Sequence, residues 1–174
     1  MDGDALWYEA AFVVGITNAL NVVADALTDA RSLGATIPAP DEASAPAEVA
    51  STFGEIRTFY ARADVPVAFR LLAADPGYLA DVWGATRRAF EDATLTRRVK
   101  EALAFAVSVT TRSPFGTAFH LGEMRRLGVG DKGVMEVLGV TQMFSSYTKI
   151  ADTLQLEPDM GDIAPSDPSP PPGA

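Results

Sequence analysis

The chain has 174 residues, about the size of one domain, and 48% of them are hydrophobic. It carries 23 acidic and 14 basic residues, and this net charge of −9 argues against nucleic acid or an anionic membrane surface as a partner. The absence of cysteine excludes disulfides and cysteine nucleophiles. The single histidine, His120, excludes a metal site of several histidines within one subunit. We expect neither a metal nor a cofactor.

The start of the chain favours a soluble cytoplasmic protein. It reads Met1-Asp2-Gly3-Asp4, which is acidic where a secretory signal carries positive charge. The longest apolar runs contain Asn, Asp or Arg before they reach the roughly 20 residues that a membrane helix needs. We therefore expect no membrane segment.

Apolar residues at spacings of three and four predict a first helix over residues 5–32, with Leu33-Gly34 as a stop. A Pro/Ala-rich segment follows this helix, and a second proline-rich segment closes the chain, where proline prevents helix formation and little can be buried. These features predict four parts: an N-terminal helix within residues 1–36, a linker at 37–47, a helical domain at 48–156 and a disordered tail at 157–174.

The helical domain is predicted to contain six more helices, so the expected fold class is all-α with about seven helices. They cover residues 48–62, a segment from Pro66 through Leu72, a segment from Pro76 to Phe90, one capped by Thr94 or Thr96 and ending near Thr111, one from Ser113-Pro114 to Leu127, and one from Asp131 through Ile150. The sequence has no run of alternating apolar and polar residues that would predict a β-strand. We expect Arg97, Arg98 and Lys100 to lie on a solvated face.

The residues that carry chemistry lie on the fifth and sixth predicted helices. Ser113, Gly116 and His120 follow one another at spacings of three and four, so they share one helix face. Glu101 lies on the preceding helix, and an antiparallel hairpin would bring it within hydrogen-bonding distance of His120, where a carboxylate orients an imidazole. The free N–H groups at the start of the Ser113 helix would favour an anion.

The stretch KEALAFAVSVTTRSPFGTAFHLGEMRRLG, residues 100–128, resembles the alkyl hydroperoxidase D and carboxymuconolactone decarboxylase superfamily. Redox members of that superfamily carry a glutamate, a cysteine twelve residues later, a second cysteine in a CxxC pair, and a histidine four residues after that. Glu101 and His120 match the glutamate and the histidine, while Ser113 and Gly116 stand at the cysteine positions. The resemblance covers roughly residues 66–155 and implies a helical fold that commonly forms homo-oligomers.

The missing thiols exclude the peroxide chemistry of the redox members, because a serine hydroxyl has no comparable oxidation ladder. The decarboxylase branch of the superfamily lacks the CxxC pair and applies acid–base chemistry to a small carboxylated lactone. The resemblance therefore suggests a cofactor-free acid–base enzyme for a small organic acid or carbonyl compound. In this hypothesis His120 moves the proton, Glu101 orients it, and Ser113, Gly116 and Tyr147 bind the substrate.

A second hypothesis is a catalytically silent, oligomeric relative that binds a ligand or has a structural role. His120 would then be a buried histidine satisfied by Glu101, Ser113 a helix cap, and Tyr147 an ordinary amphipathic residue. A cavity of a few hundred cubic ångströms that opens onto His120 would favour the enzyme, and a closed, packed Glu101–His120 pair would favour the silent relative.

A third hypothesis rests on residues 55–83, which are also similar to group I haloacid dehalogenases. These hydrolases are larger, contain two such repeats and activate water with an aspartate. The position of that aspartate in this chain is not evident, so the similarity assigns no further site residue.

Overall fold

A computed structural model describes residues 3–28 and 39–156. In these ranges the structure has seven α-helices and no sheet, which confirms the all-α prediction. The helices are α1 (Gly3–Leu27), α2 (Ala47–Tyr60), α3 (Val67–Leu72), α4 (Pro76–Phe90), α5 (Arg97–Thr110), α6 (Pro114–Arg126) and α7 (Asp131–Leu154). A short 3-10 helix, Glu42–Ser44, lies in the segment predicted as a linker.

The helix boundaries follow the sequence prediction closely except at the end of α1. Helix α1 ends at Leu27, whereas the apolar pattern predicts a helix up to residue 32. Residues 29–38, which include the predicted stop at Leu33-Gly34, lie outside the described residues, as does the predicted tail at 157–174.

The chain divides into two compact units, residues 1–141 and residues 142–174. The first unit contains α1 to α6 and the first part of α7. The second unit contains the remainder of α7, where every side chain from 142 to 150 is exposed.

Helix α1 belongs to the core of the first unit, where it packs against α3, α4, α5 and α6. Val13, Leu20 and Ala24 form its buried face. The segment Asp4–Leu27 is also long and apolar enough to cross a membrane, which corrects the expectation that the apolar runs are too short. The core helix of a soluble protein can meet the same length and composition criterion, and α1 has one buried face in the first unit.

An aromatic cluster from α2, α3 and α4 fills the centre of the first unit. Phe59, Tyr60, Phe69 and Trp83 meet with ring centroids 5.1–6.3 Å apart, mostly edge to face. Tyr60 also contacts Phe119 of α6 at 5.1 Å. The cluster thereby fixes one side of α6 against the rest of the core.

The hairpin of α5 and α6 positions the candidate site. Thr96 caps α5 by accepting a hydrogen bond from the Val99 N–H at 3.5 Å, and Ser113 caps α6 by accepting one from the Gly116 N–H at 3.0 Å. Between the helices Arg112 has a left-handed backbone conformation (φ +60°), which reverses the chain direction. The two helices therefore run antiparallel, as the sequence predicts.

Candidate functional site

Glu101 and His120 form a buried pair across the α5–α6 hairpin. The Nδ1 atom of His120 lies 2.8 Å from Oε2 of Glu101. His120 is 2% exposed and Glu101 is fully buried. The distance expected from the sequence spacing is therefore present in the structure, in a setting without bulk water.

Two aromatic rings fix the orientation of the imidazole. Phe90 stacks on His120 with the ring planes 10° apart, and Phe119 meets it edge-on with centroids 5.1 Å apart. With Glu101 on Nδ1, these contacts leave the ring little rotational freedom. Among the described residues Glu101 is the sole hydrogen-bond partner of His120, so Nε2 is the nitrogen available for chemistry.

Two arginines and a second carboxylate extend this pair into an ion cluster. Arg97 lies 3.4 Å from Glu101 and 3.3 Å from Glu123, and Arg126 lies 2.6 Å from Glu123. Two positive charges thus balance two negative ones without any charge on His120. Because Glu101 accepts at Nδ1, a neutral imidazole in this position carries its hydrogen on Nδ1 and a lone pair on Nε2.

The position of Arg97 corrects the expectation of a solvated face at the start of α5. Its side chain is only 13% exposed, and its guanidinium lies 3.9 Å above the ring of Phe59. The apolar pattern alone gives no signal for this, because charged residues of opposite sign on α5 and α6 meet only in the folded hairpin. Glu123 was missed for the same reason.

The position of Lys100 also corrects the expectation of a solvated face at the start of α5. Its side chain is fully buried, and Nζ lies 2.6 Å from Oε1 of Glu9 on α1. Burial acts to raise the pKa of Glu9, but the hydrogen bonds from Lys100 and from the Leu95 N–H, with the charge of Lys100, lower it overall. This ion pair fixes the start of α1 against the start of α5.

Tyr60 lies beside the ion cluster, and the pKa of its phenol is shifted there. Burial raises the pKa of the Tyr60 phenol well above its ordinary value, and the negative charge of Glu101 adds to the effect. The hydroxyl of Tyr60 therefore stays protonated beside the site at neutral pH.

At the end of the hairpin where α5 turns into α6, Ser113 and Gly116 stand at the cysteine positions of the redox members and offer no reactive group. Ser113 is 1% exposed, and its hydroxyl oxygen accepts from the Gly116 N–H. The Thr117 N–H donates to the Ser113 carbonyl, and Pro114 has no N–H. Fewer free donors than expected thus remain at the start of α6 for an anion.

The space above Gly116 is occupied by α1. A Cβ atom added to Gly116 would lie 2.1 Å from Oδ1 of Asn21 and 2.4 Å from Oγ of Ser108. Asn21 Nδ2 donates to Ser108 Oγ at 3.0 Å. The sequence analysis missed Asn21, because its approach to Gly116 depends on how α1 docks against the hairpin.

A cavity of about 490 Å³ lies beside α6 in the first unit. Apolar residues of the α2–α3 connection and of α6 line it, with charged side chains of both signs: Val65, Pro66, Phe115, Phe119, Arg62, Arg70, Asp25 and Asp64 are among its walls. Neither His120 nor Glu101 lines this cavity. Phe119, which contacts the His120 ring, separates the two.

Tyr147, the remaining predicted binding residue, is 59% exposed and belongs to the second unit. Its proposed contact with substrate stays a prediction. Over residues 3–28 and 39–156 the structure shows no cluster of three or more acidic or histidine side chains able to hold a metal ion.

Comparisons with known proteins agree with this fold. The model of the Carboxymuconolactone decarboxylase family matches residues 76–156, which include the whole α5–α6 hairpin. The alkylhydroperoxidase AhpD core from Rhodospirillum rubrum ATCC 11170 has a similar fold, with a TM-score of 0.70 and 23% identity, over 75% of this chain and 98% of that chain. No curated protein matches the sequence. The resemblance predicted from residues 66–155 is thereby confirmed.

Proposed function

We propose that this chain, a cysteine-free relative of the alkyl hydroperoxidase D and carboxymuconolactone decarboxylase superfamily, is a cofactor-independent acid–base enzyme for a small organic acid or carbonyl compound. The observation that carries the proposal is the buried Glu101–His120 pair at 2.8 Å. A histidine held by a carboxylate on one nitrogen and free on the other is the arrangement of a general base. The lack of cysteine excludes thiol chemistry.

Each group has a distinct role in this proposal. His120 accepts a proton from the substrate on Nε2 and returns it later. Glu101 holds the opposite nitrogen and stabilises the imidazolium that forms. Arg97 pairs with Glu101 at 3.4 Å and balances its charge. Cytoplasmic location belongs to the same proposal.

The cavity beside Phe119 supports an organic acid as the ligand. Arg62 is paired with Asp64 at 3.4 Å, whereas Arg70 has no carboxylate partner among the described residues. A carboxylate in the cavity would supply that partner, while Phe115 and Phe119 would contact the apolar part of the ligand.

Ligand binding can be tested by thermal shift and calorimetry with benzoate and with its uncharged isostere benzamide. We expect benzoate to bind more tightly than benzamide, and Arg70→Met to weaken benzoate binding by about tenfold, or about 1.4 kcal/mol. Arg98→Met is the matched control, because Arg98 is exposed and does not line the cavity. Equal binding of the two probes by the wild-type protein would contradict an acid-binding cavity.

Catalysis can be tested by screening carboxylated lactones and β-keto acids for turnover. We expect His120→Gln and Glu101→Gln each to reduce kcat/KM by about 100-fold or more, the usual contribution of a general base. Turnover that survives both substitutions would exclude the pair as the catalytic group.

The silent relative is a second candidate, and the closed, packed Glu101–His120 pair favours it, because His120 is 2% exposed and does not line the cavity. A ligand in the cavity would reach the His120 ring only after movement of Phe119. Phe119→Ala opens that route without removing the pair. The enzyme predicts turnover that rises or persists in this variant, whereas the silent relative predicts ligand binding without turnover in both proteins.

We also propose that the protein forms a homo-oligomer through α1. Seven residues of α1 recur at alternating spacings of three and four, and all are apolar or glycine and exposed: Ala5, Tyr8, Phe12, Gly15, Ala19, Val22 and Ala26. This is the heptad pattern of a helix–helix seam, and its small residues allow a second helix to approach closely. A second copy of the chain, presenting the same seam, is the partner.

Analytical ultracentrifugation tests this assembly. Ala19→Glu should lower the sedimenting mass to that of a monomer, since a charge in the seam is costly. Asn18→Glu, one residue away and outside the seam, is the control. A wild-type protein that sediments as a monomer, or partitions into lipid vesicles, would contradict the proposal.

A further inference from the structure

Helix α1 brings two buried oxygen atoms towards the α5–α6 hairpin. Thr17 is fully buried and Asn21 is 2% exposed. Within the described residues, Thr17 Oγ1 and Asn21 Oδ1 have no hydrogen-bond partner. Buried polar atoms without partners are rare, because leaving a hydrogen bond unmade inside a protein is costly. Each oxygen therefore indicates a partner that these residues do not supply.

The hydrogen bonds of Ser108 determine the orientation of the Asn21 amide. Ser108 donates its hydroxyl hydrogen to the Ala104 carbonyl at 2.8 Å, so its oxygen must accept from Asn21 at 3.0 Å. The NH₂ group of Asn21 therefore faces Ser108, and Oδ1 points away as an acceptor.

Thr17 differs from other helical threonines of this chain. Thr52, Thr58 and Thr86 each donate their hydroxyl to the carbonyl four residues earlier, at 2.7–3.0 Å. Thr17 makes no such bond. Its hydroxyl therefore remains a free donor on the buried face of α1.

Contacts along α1 and α5 show that these helices run in the same direction. Glu9 meets Lys100 near their starts, and Asn21 meets Ser108 further along both. Thr17, one turn before Asn21, therefore lies level with the turn of α5 that precedes Ser108. This is the part of α5 that faces His120.

Helix α6 runs opposite to α5, so its residues meet α1 in reverse order. Asn21 lies against Gly116. His120 is one turn after Gly116 on the same face of α6, and Thr17 is one turn before Asn21 on the same face of α1. Thr17 and His120 therefore lie at the same level of the core.

The neighbours of His120 occupy Nδ1, one ring face and one ring edge. Glu101 of α5 takes Nδ1, Phe90 of α4 covers a ring face, and Phe119 meets the ring edge-on. The Nε2 lone pair has no partner among the described residues. Val13 and Ile16 of α1 pack in the same core cluster as Phe90, which places α1 beside the ring.

We propose that Thr17, Asn21 and His120 together bind one water molecule in the core. The water would donate its two hydrogens to Asn21 Oδ1 and His120 Nε2 and would accept the hydrogen of Thr17 Oγ1. Every donor then meets an acceptor, and three partners are the usual number for a buried water. Thr17 and Asn21 are in this role positioning residues for His120, and a proton exchanged at Nε2 would pass through this water. The site does not depend on whether the protein is a catalyst.

Thr17→Val is the test, because it removes the hydroxyl and keeps the shape. If the water is bound, the variant loses a hydrogen bond, and its Tm falls by about 2–4 °C, the shift of roughly 1 kcal/mol in a chain of this size. The Nε2 resonance of His120, the one histidine of the chain, also shifts in a nitrogen-15 spectrum at fixed pH. Thr58→Val, at an exposed position of α2, is the control and leaves the resonance unchanged.

Asn21→Ala tests the second partner and should move the same resonance, whereas Asn18→Ala on the exposed face of α1 should not. A raised Tm for Thr17→Val with an unchanged Nε2 signal overturns the proposal, since removing a truly unpaired hydroxyl relieves a cost. If the variants do not fold, a high-resolution crystal structure of the wild-type protein decides. Density for a water within hydrogen-bonding distance of all three atoms supports the site, and direct packing of α1 on His120 without it overturns it.

Discussion

The two ends of the α5–α6 hairpin use opposite means to bury polar groups. At the start of α5, Arg97, Glu101 and Glu123 neutralise one another, and Glu101 also takes the Nδ1 hydrogen of His120. At the turn end, Asn21 fills the space above Gly116 with an amide whose oxygen has no partner among the described residues. The first end (the paired end) has the glutamate and histidine of the superfamily pattern, whereas the second (the turn end) has Ser113 and Gly116 where that pattern has cysteines.

The difference teaches that the Glu–His pair does not need the thiols in order to stay buried. Its charges are balanced by Arg97 and Arg126, which lie on the hairpin itself. The turn end depends instead on a helix outside the residues that the family model matches, since α1 ends at Leu27 and the match begins at residue 76. Substitutions at the two ends should therefore behave differently.

The largest effect is expected at the paired end. Glu101→Ala should lower the free energy of unfolding by about 3–5 kcal/mol, because it removes one partner of a buried ion cluster and leaves the His120 Nδ1 hydrogen without an acceptor. Chemical denaturation measures this. Glu136→Ala on the exposed part of α7 is the control and should stay within about 0.5 kcal/mol of the wild-type protein. A similar small change for Glu101→Ala would mean that the pair is not buried in solution.

At the turn end, Gly116→Cys should cost about 1–3 kcal/mol of stability, because the new Cβ would overlap Asn21 and Ser108. The double variant Asn21→Gly with Gly116→Cys should recover part of that loss by freeing the space. Gly122→Cys on the same helix is the control, since a Cβ there meets nothing within 4 Å. Additive effects of the two substitutions, measured in a double-mutant cycle, would show that Asn21 does not fill the space above Gly116.

The two ends of the hairpin also show which parts of the site the sequence predicts and which it does not. Helical spacing within α5 and α6 and the cap at Ser113 allow Glu101 to lie near His120, and the resemblance to the superfamily singles out this pair. The same information misplaces Arg97 and Lys100 on a solvated face, since their partners Glu123 and Glu9 lie on other helices. Asn21 was missed for a similar reason: nothing in the sequence specifies which face of α1 docks on the hairpin.

A smaller effect links the aromatic core to the paired end through Tyr60. The folded state raises the pKa of this phenol through burial and the charge of Glu101, so the unfolded state loses the proton first as the pH rises. Stability should therefore fall as the pH rises above about 10, where an unfolded tyrosine ionises. Tyr60→Phe should remove this part of the pH dependence. Denaturation curves of both proteins between neutral pH and pH 11 measure the difference, and identical slopes would contradict it.

The last prediction is the absence of an activity, namely peroxide turnover. The wild-type protein should show no peroxide turnover with any dithiol reductant above a heat-denatured control, since it contains no cysteine to form a sulfenic acid or a disulfide. Introducing both thiols by Ser113→Cys and Gly116→Cys tests whether the turn end alone accounts for the absence of turnover. Because Asn21 occupies the space above position 116, we expect dithiol-dependent turnover in the two-cysteine protein only when Asn21→Gly is added. Turnover in the two-cysteine protein that retains Asn21 would show that α1 moves easily away from position 116. Asn21 would then not block the turn end, and the difference between the two ends would not explain the missing activity.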